Sequence, residues 1–169
     1  MSDRERLIVA EIPSLRRYAR ALTGNNVAAD DLVQDCLERA LRRRHLWLGR
    51  GSMRAWLFSI LHNLHANAVR KEARRPRLLP LENGHHASVL PVQDHAVRLS
   101  QFANALAQLP EEQRAVVLLV GLEEMTYAES ARILGVPIGT VMSRLSRGRE
   151  RLRQLSGDSP PVGRQNEAC

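Results

Sequence analysis

Apolar residues recur at three- and four-residue intervals along most of the chain, and that spacing predicts helices, not strands. Ile8, Ile12, Leu15, Ala19 and Leu22 mark a first helix, ended by Gly24-Asn25-Asn26. A second begins near Val27, with Asp30 and Asp31 in its first turn, where the helix dipole favours negative charge. Leu32, Val33, Cys36, Leu37, Ala40 and Leu41 form its apolar side, and Gly49-Arg50-Gly51-Ser52 breaks the pattern. A third helix runs from about Met53 to Ala73, with Leu57, Ile60, Leu61, Leu64 and Ala68 facing inward and Trp56 continuing the apolar side. Three such helices predict one compact domain over residues 5–75. Residues 76–95 contain Pro76, Pro80, Gly84 and Pro91 and no sustained period, the signature of a flexible linker.

The pattern resumes near Ala96 and predicts helices over about 96–108, 111–121, 126–134 and 138–154. Pro110 followed by Glu111 and Glu112 is a strong helix start. In the last helix Val141, Leu145, Gly148 and Leu152 form one stripe, while Thr140, Arg144, Arg147 and Arg151 form another. Gly135-Val136-Pro137 separates it from the short helix Thr126–Leu134. Two short helices joined by a tight Gly-containing turn, the second basic, form a helix-turn-helix, whose second helix enters the DNA major groove. The competing reading is a solvated basic helix that closes a bundle. The second domain spans residues 96–155, and residues 156–169, rich in Ser, Gly and Pro, read as a disordered tail. The expected fold is all-α, with two small helical domains.

Composition supports this. Of the 169 residues 44% are hydrophobic but only 4% aromatic, so the cores must be aliphatic. The formal net charge is +7, and every basic residue but Lys71 is Arg, the better side chain for bidentate phosphate and guanine contacts. Residues 38–77 hold 11 basic and 2 acidic side chains, residues 78–137 hold 3 and 7, and residues 138–153 hold 5 and 1. Two basic blocks flank an acidic middle, which fits two contacts with one polyanion. Cys36 and Cys169 make neither a metal pair nor a disulfide framework, and no apolar run approaches a membrane span. A reducing cytoplasm is therefore expected.

The third predicted helix has a polar side, Asn63, Asn67, Arg70, Lys71 and Arg74, suited to base edges and phosphates. Before it, residues 42–54 supply Arg42, Arg43, Arg44, His45, Trp47, Arg50 and Arg54, a basic segment with an interleaved aromatic that suits unstacked single-stranded bases. The second helix carries an acidic edge, Asp31, Gln34, Asp35 and Glu38, that could dock a basic partner. A solvated charged face is the competing reading: it explains the acidic edge more simply and the basic faces less well. His85, His86 and His95 lack a helical pair or nearby Cys, so no metal is expected, and no nucleophile, phosphate loop or paired carboxylate suggests catalysis or a cofactor.

Four motifs in order resemble the extracytoplasmic-function group of bacterial sigma factors, over about residues 8–155. Ala29-Asp30-Asp31-Leu32-Val33-Gln34-Asp35 is similar to the family's polymerase-docking motif, and Arg54 through Asn63 to its promoter-melting helix. Leu109 through Leu119 and Gly139 through Leu145 are similar to the two signatures of its minus-thirty-five-binding domain. The resemblance implies that Asp31, Gln34, Asp35 and Glu38 face core RNA polymerase. It places Asn63, Asn67, Arg70, Lys71 and Arg74 near the minus-ten element of promoter DNA, and has residues 45–52 capture a flipped base. Thr140, Met142, Ser143, Arg144, Arg147 and Arg151 would meet the minus-thirty-five element. It also implies an anti-sigma factor and a role in a stress or envelope response. Met142 stands where the family often has Lys, which removes a phosphate contact and offers an apolar group to a thymine methyl; Gly148 stands where it often has Ala. His62 and His65 replace commoner small or polar residues. The alternative from another class is a stand-alone helix-turn-helix transcriptional regulator, which would need a dimer surface that the sequence does not display.

Overall fold

The computed structural model describes residues 2–47, 51–74 and 94–156. Among them the chain forms helices and no strand, and several of the helix ends have a clear local chemical cause. Helix α1 (Asp3–Thr23) opens on a capping box, in which Ser2 accepts from the Glu5 N–H and Glu5 accepts from the Ser2 N–H. It closes on Gly24 at φ 66°, a left-handed conformation that glycine adopts without a Cβ penalty. Helix α2 (Asn26–Arg42) is capped by Asn25, whose side chain accepts from the Ala28 N–H, and a short 3-10 turn follows over Arg44–Leu46. Helix α3 (Met53–Ala73) starts after Ser52, which accepts from the Ala55 N–H. Helices α4 (Asp94–Ala107) and α5 (Glu111–Gly121) meet at Pro110. Helix α6 (Tyr127–Leu134) repeats the capping-box device with Thr126 and Glu129, and Gly135 at φ 65° turns the chain into α7 (Ile138–Ser156).

Helices α1, α2 and α3 pack as one group and α4 to α7 as another. The first is centred on Leu15, Leu22, Cys36, Leu57 and Leu61, with the Tyr18 and Phe58 rings 5.3 Å apart. The second is centred on Val116, Leu119, Ile133 and Val141. The groups also pack on each other, α3 along α6 and α1 along α5 and α4, so the buried residues form one continuous apolar cluster.

Several sequence expectations need correction. Because α2 begins at Asn26, its first turn holds no acid; Asp30 lies a turn later, 4.0 Å from Arg16 and 3.6 Å from Arg20 of α1. Leu41 and Ala68 are exposed, because α2 and α3 both run past the end of the three-helix core. Ile12, Leu37, Ile60 and Leu64 are half-buried, while Met53, Tyr18 and Phe58 supply core that the apolar stripes omitted. Helix α4 opens two residues early, at Asp94. The expected linker lies outside the described residues except at its last positions, and residues 157–169 of the expected tail lie outside them too.

Gly148 sets how closely α7 approaches α5. A Cβ there would lie 2.7 Å from Val117 Cγ2, a contact that the branched, buried valine has no rotamer freedom to relieve. Gly148→Ala should therefore cost about 1–3 kcal/mol of stability, measured by thermal denaturation, despite alanine's better helix propensity. Adding Val117→Ala should recover most of that loss; equal stability of Gly148→Ala and the parent would contradict the packing described.

Candidate functional site

The helix-turn-helix is built by the α6 cap, the Gly135 turn and the α7 stripe. Val141, Leu145, Gly148 and Leu152 are all buried, which fixes the rotation of α7 about its axis. Met142, Ser143, Ser146, Arg147 and Arg151 consequently face solvent. Thr140 and Arg144 do not fully follow: both are half-buried, and Arg144 Nη2 lies 2.6 Å from Glu112 Oε2 of α5. The cationic stripe is thus divided, with its lower part open and Arg144 held against the body. Ser143 Oγ donates to the Thr140 carbonyl at 3.0 Å.

On α3, Asn63, Asn67, Arg70, Lys71 and Arg74 are all exposed and share one row. Arg70 holds part of that row in place, donating to Asn67 Oδ1 at 3.0 Å and to the Ala66 carbonyl at 3.1 Å. Arg42, Arg43, Arg44 and His45 are exposed beside it. Trp47 is half-buried, with the Arg4 guanidinium 5.9 Å from its ring centroid, and Trp56 packs at the edge of the core. Arg50 lies outside the described residues. Arg54 departs from its expected place in the nucleic-acid segment. It turns inward, donating to Glu11 at 2.9 Å, to Ser14 at 3.0 Å and to Glu123 at 2.6 Å. The acidic edge on α2 keeps its pattern, with Asp31, Gln34, Asp35 and Glu38 all exposed and only Glu38 paired, to Arg42 at 3.4 Å.

The pairing of Arg54 belongs to a seam that sequence reasoning missed. Glu123, in the turn between α5 and α6, has no side-chain exposure. It accepts from Arg17 Nε at 2.9 Å and Nη2 at 2.8 Å and from Arg54 Nη2, so helices α1 and α3 both converge on one carboxylate. Glu124 beside it has φ 54°, the left-handed region that costs a non-glycine residue about 1 kcal/mol or more. Arg114 closes the other end of the seam. Its guanidinium donates to the carbonyls of Leu106, Ala107 and Leu109 and to that of Leu22 at the end of α1.

His62 and His65 face the same seam from α3. His65 Nε2 lies 3.0 Å from Glu111 Oε1. His62 lines a cleft with Glu111, Glu112, Val136 and Arg144, and its Nδ1 is buried without a partner. Burial pushes the His62 imidazole down to about 4, and His65, Arg144 and Arg70 add repulsion. Burial also lowers His65, against the attraction of Glu111. Cys36 is inert: burial pushes its thiol up to about 12. His85 and His86 lie outside the described residues, as does the side chain of His95, and the described residues hold no cluster fit to bind a metal. No described helix is long and apolar enough to cross a membrane.

Residues 8–62 match a family model described as the Sigma2 domain of PhyR, and residues 99–152 match Sigma-70, region 4. The chain is 39% identical over 151 residues to the ECF RNA polymerase sigma factor EcfG of Rhodopseudomonas palustris, across 88% of this chain and 82% of that protein. It is 35% identical over 146 residues to the ECF RNA polymerase sigma factor SigM of Mycobacterium tuberculosis, across 85% and 71%. Among solved structures, the sigma factor RpoE of Bartonella quintana, crystallised with the anti-sigma factor NepR, superposes with a TM-score of 0.82. That similarity carries 31% identity and covers 95% of this chain and all of that one.

Two measurements test the seam. Glu123→Gln removes the charge that both arginines share. It should loosen the packing of α1–α3 on α4–α7 by about 2 kcal/mol, the low side for a buried pair because Arg17 keeps half its surface in water. The radius of gyration from small-angle scattering should rise. Acid should act in the same direction. With the His62 value depressed below 6.5, the separated form binds more protons, so packing is intact above pH 6.5 and weakens as pH falls toward 4. His62→Phe should flatten that profile; an unchanged profile would remove His62 from the seam's energetics.

Proposed function

The chain belongs to the extracytoplasmic-function RNA polymerase sigma factors, and from that premise we propose how its surfaces divide the work of directing core polymerase to promoters and initiating transcription. Residues 5–75 act as the polymerase-docking and minus-ten domain, residues 96–155 as the minus-thirty-five domain, with 76–95 as linker and 156–169 as tail. Asp31, Gln34, Asp35 and Glu38 meet the clamp helices of the polymerase largest subunit, where an exposed acidic row steers a basic partner. Asn63, Asn67, Arg70, Lys71 and Arg74 hold the minus-ten region, and Trp47 with its neighbouring arginines takes an unstacked base. Thr140, Met142, Ser143, Arg144, Arg147 and Arg151 meet duplex DNA at the minus-thirty-five element.

The observation that carries this reading is the exposure of two cationic rows, on α3 and on α7, beside one cleft that His62 and Arg144 both line. The two promoter elements lie about 25 base pairs apart, about 85 Å of duplex at 3.4 Å per base pair. Rows on opposite walls of one cleft cannot reach both. Promoter binding therefore requires α1–α3 and α4–α7 to part, releasing Arg17 and Arg54 from Glu123 and His65 from Glu111. Polymerase and promoter bind the parted form; an anti-sigma factor acts by holding the DNA-reading rows covered. The protein performs no covalent chemistry: captured bases and polymerase contacts drive melting. Its place is the cytoplasm, with the polymerase, and its signal is a stress.

Run-off transcription with core polymerase tests the assignment. Arg144→Ala should lower initiation from promoters that depend on the minus-thirty-five element by tenfold or more, while the variant still co-purifies with core. Asp35→Arg should lose co-purification and retain binding to duplex DNA. If both variants match the parent, these roles are wrong.

A further inference from the structure

Helix α7 carries more than a cationic stripe. Ile138 and Met142 are 49% and 53% exposed, whereas the other aliphatic residues of its first three turns, Val141 and Leu145, are buried. One helical turn apart, Ile138 and Met142 lie on one flank. Arg144 and Arg147 lie on the other. Between the flanks runs a crest of Gly139, Ser143 and Ser146, none bulkier than a hydroxymethyl group, and a Cβ built on Gly139 meets nothing within 4 Å. Such a crest lets the helix backbone approach base edges closely, which brings short apolar side chains within reach of the groove floor.

Resting on the minus-thirty-five assignment above, we propose that Ile138 and Met142 form an apolar reading pair for the 5-methyl groups of thymines. The major groove presents one apolar group, the thymine methyl, and apolar side chains are its complement. Four residues along the helix rise about 6 Å, close to two base-pair steps of 3.4 Å, so the pair suits thymines at neighbouring or next-neighbouring positions. The occupant is DNA and not a protein face because the pair adjoins a cationic flank: Arg147, Arg149, Arg151 and Arg153 all face solvent on the same helix, with Glu150 the one acid among them. Met142 thus supplies base discrimination at a position where lysine would supply charge.

The test uses full-length protein with core polymerase and the promoter fragment that this holoenzyme protects most strongly. Each thymine of the minus-thirty-five element is replaced in turn by deoxyuracil, which keeps every hydrogen bond and removes the methyl alone. Binding should fall about fourfold at one or two neighbouring positions. That sensitivity should vanish at its position in Met142→Gln or Ile138→Ser, while both variants still bind core. An element without thymine overturns the proposal, and so does insensitivity to deoxyuracil at every position. A change in self-association of the variants, with no deoxyuracil effect, would assign the patch to a second copy and overturn it equally. Arg147→Ala separates the two levels. If it weakens binding while deoxyuracil has no effect, the minus-thirty-five assignment stands and the reading pair falls; if it too has no effect, the assignment itself fails.

Discussion

Glu123 places a carboxylate with no solvent exposure between two helices that belong to the other half of the molecule. A charge so buried persists only when partners replace its lost hydration, and here two guanidiniums supply three hydrogen bonds of 2.6–2.9 Å. The backbone beside it is left-handed at Glu124, a conformation that costs a non-glycine residue. Remove this cluster and the pairing of α1 with α5 and α3 with α6 loses its polar anchor, leaving Arg114 and the half-buried histidines to hold the seam. Arg54 also packs over the Phe58 ring at 5.3 Å, so the same side chain ties the polar seam to the apolar core of its own group.

In the function proposed above, that seam makes the two cationic rows a two-position device. Packed together, they share a cleft; parted, they reach elements far apart on one duplex. A ligand shifts such an equilibrium only by its preference for one position over the other. On that proposal, core polymerase and promoter favour the parted form because both rows then bind at once, and tethering raises the effective concentration of the second contact. Arg144 is paired with Glu112 of its own group in either position, so its guanidinium meets a base or phosphate only by leaving or sharing that carboxylate. Histidines at 62 and 65 place titratable groups at the hinge of the choice, where the resemblance to sigma factors led one to expect small or polar residues.

Much of the architecture was legible because helices with one buried face write that face into the sequence. The α3 bounds, the α6–Gly135–α7 unit and the stripe of Val141, Leu145, Gly148 and Leu152 followed from spacing, and so did the exposed rows on α2 and α3. What stayed hidden was every contact between faces. Arg17 and Glu123 are 106 positions apart, and Arg54 and Glu123 are 69 apart; no local period links them. Arg54 resembles its basic neighbours, and Glu123 lies in the acidic middle block with no local sign of a partner. One signal was available: Glu123-Glu124 directly follows the apolar run of α5, an uncommon place for a solvated acid pair. Ala68 falls on the inward stripe yet is exposed, because periodicity reports a face but not where a neighbouring helix stops.

The central claim is that the free protein is held together at the Glu123 seam and that promoter engagement parts it. A distance between spin labels at Val9 on α1 and Gln101 on α4, read by pulsed electron paramagnetic resonance, addresses it most directly; both sites are exposed and neither is among the residues assigned to polymerase or DNA. The account predicts a single narrow, short distance in the free protein and one longer by tens of ångströms in the complex with core polymerase and promoter DNA. The same distance in both states would contradict it.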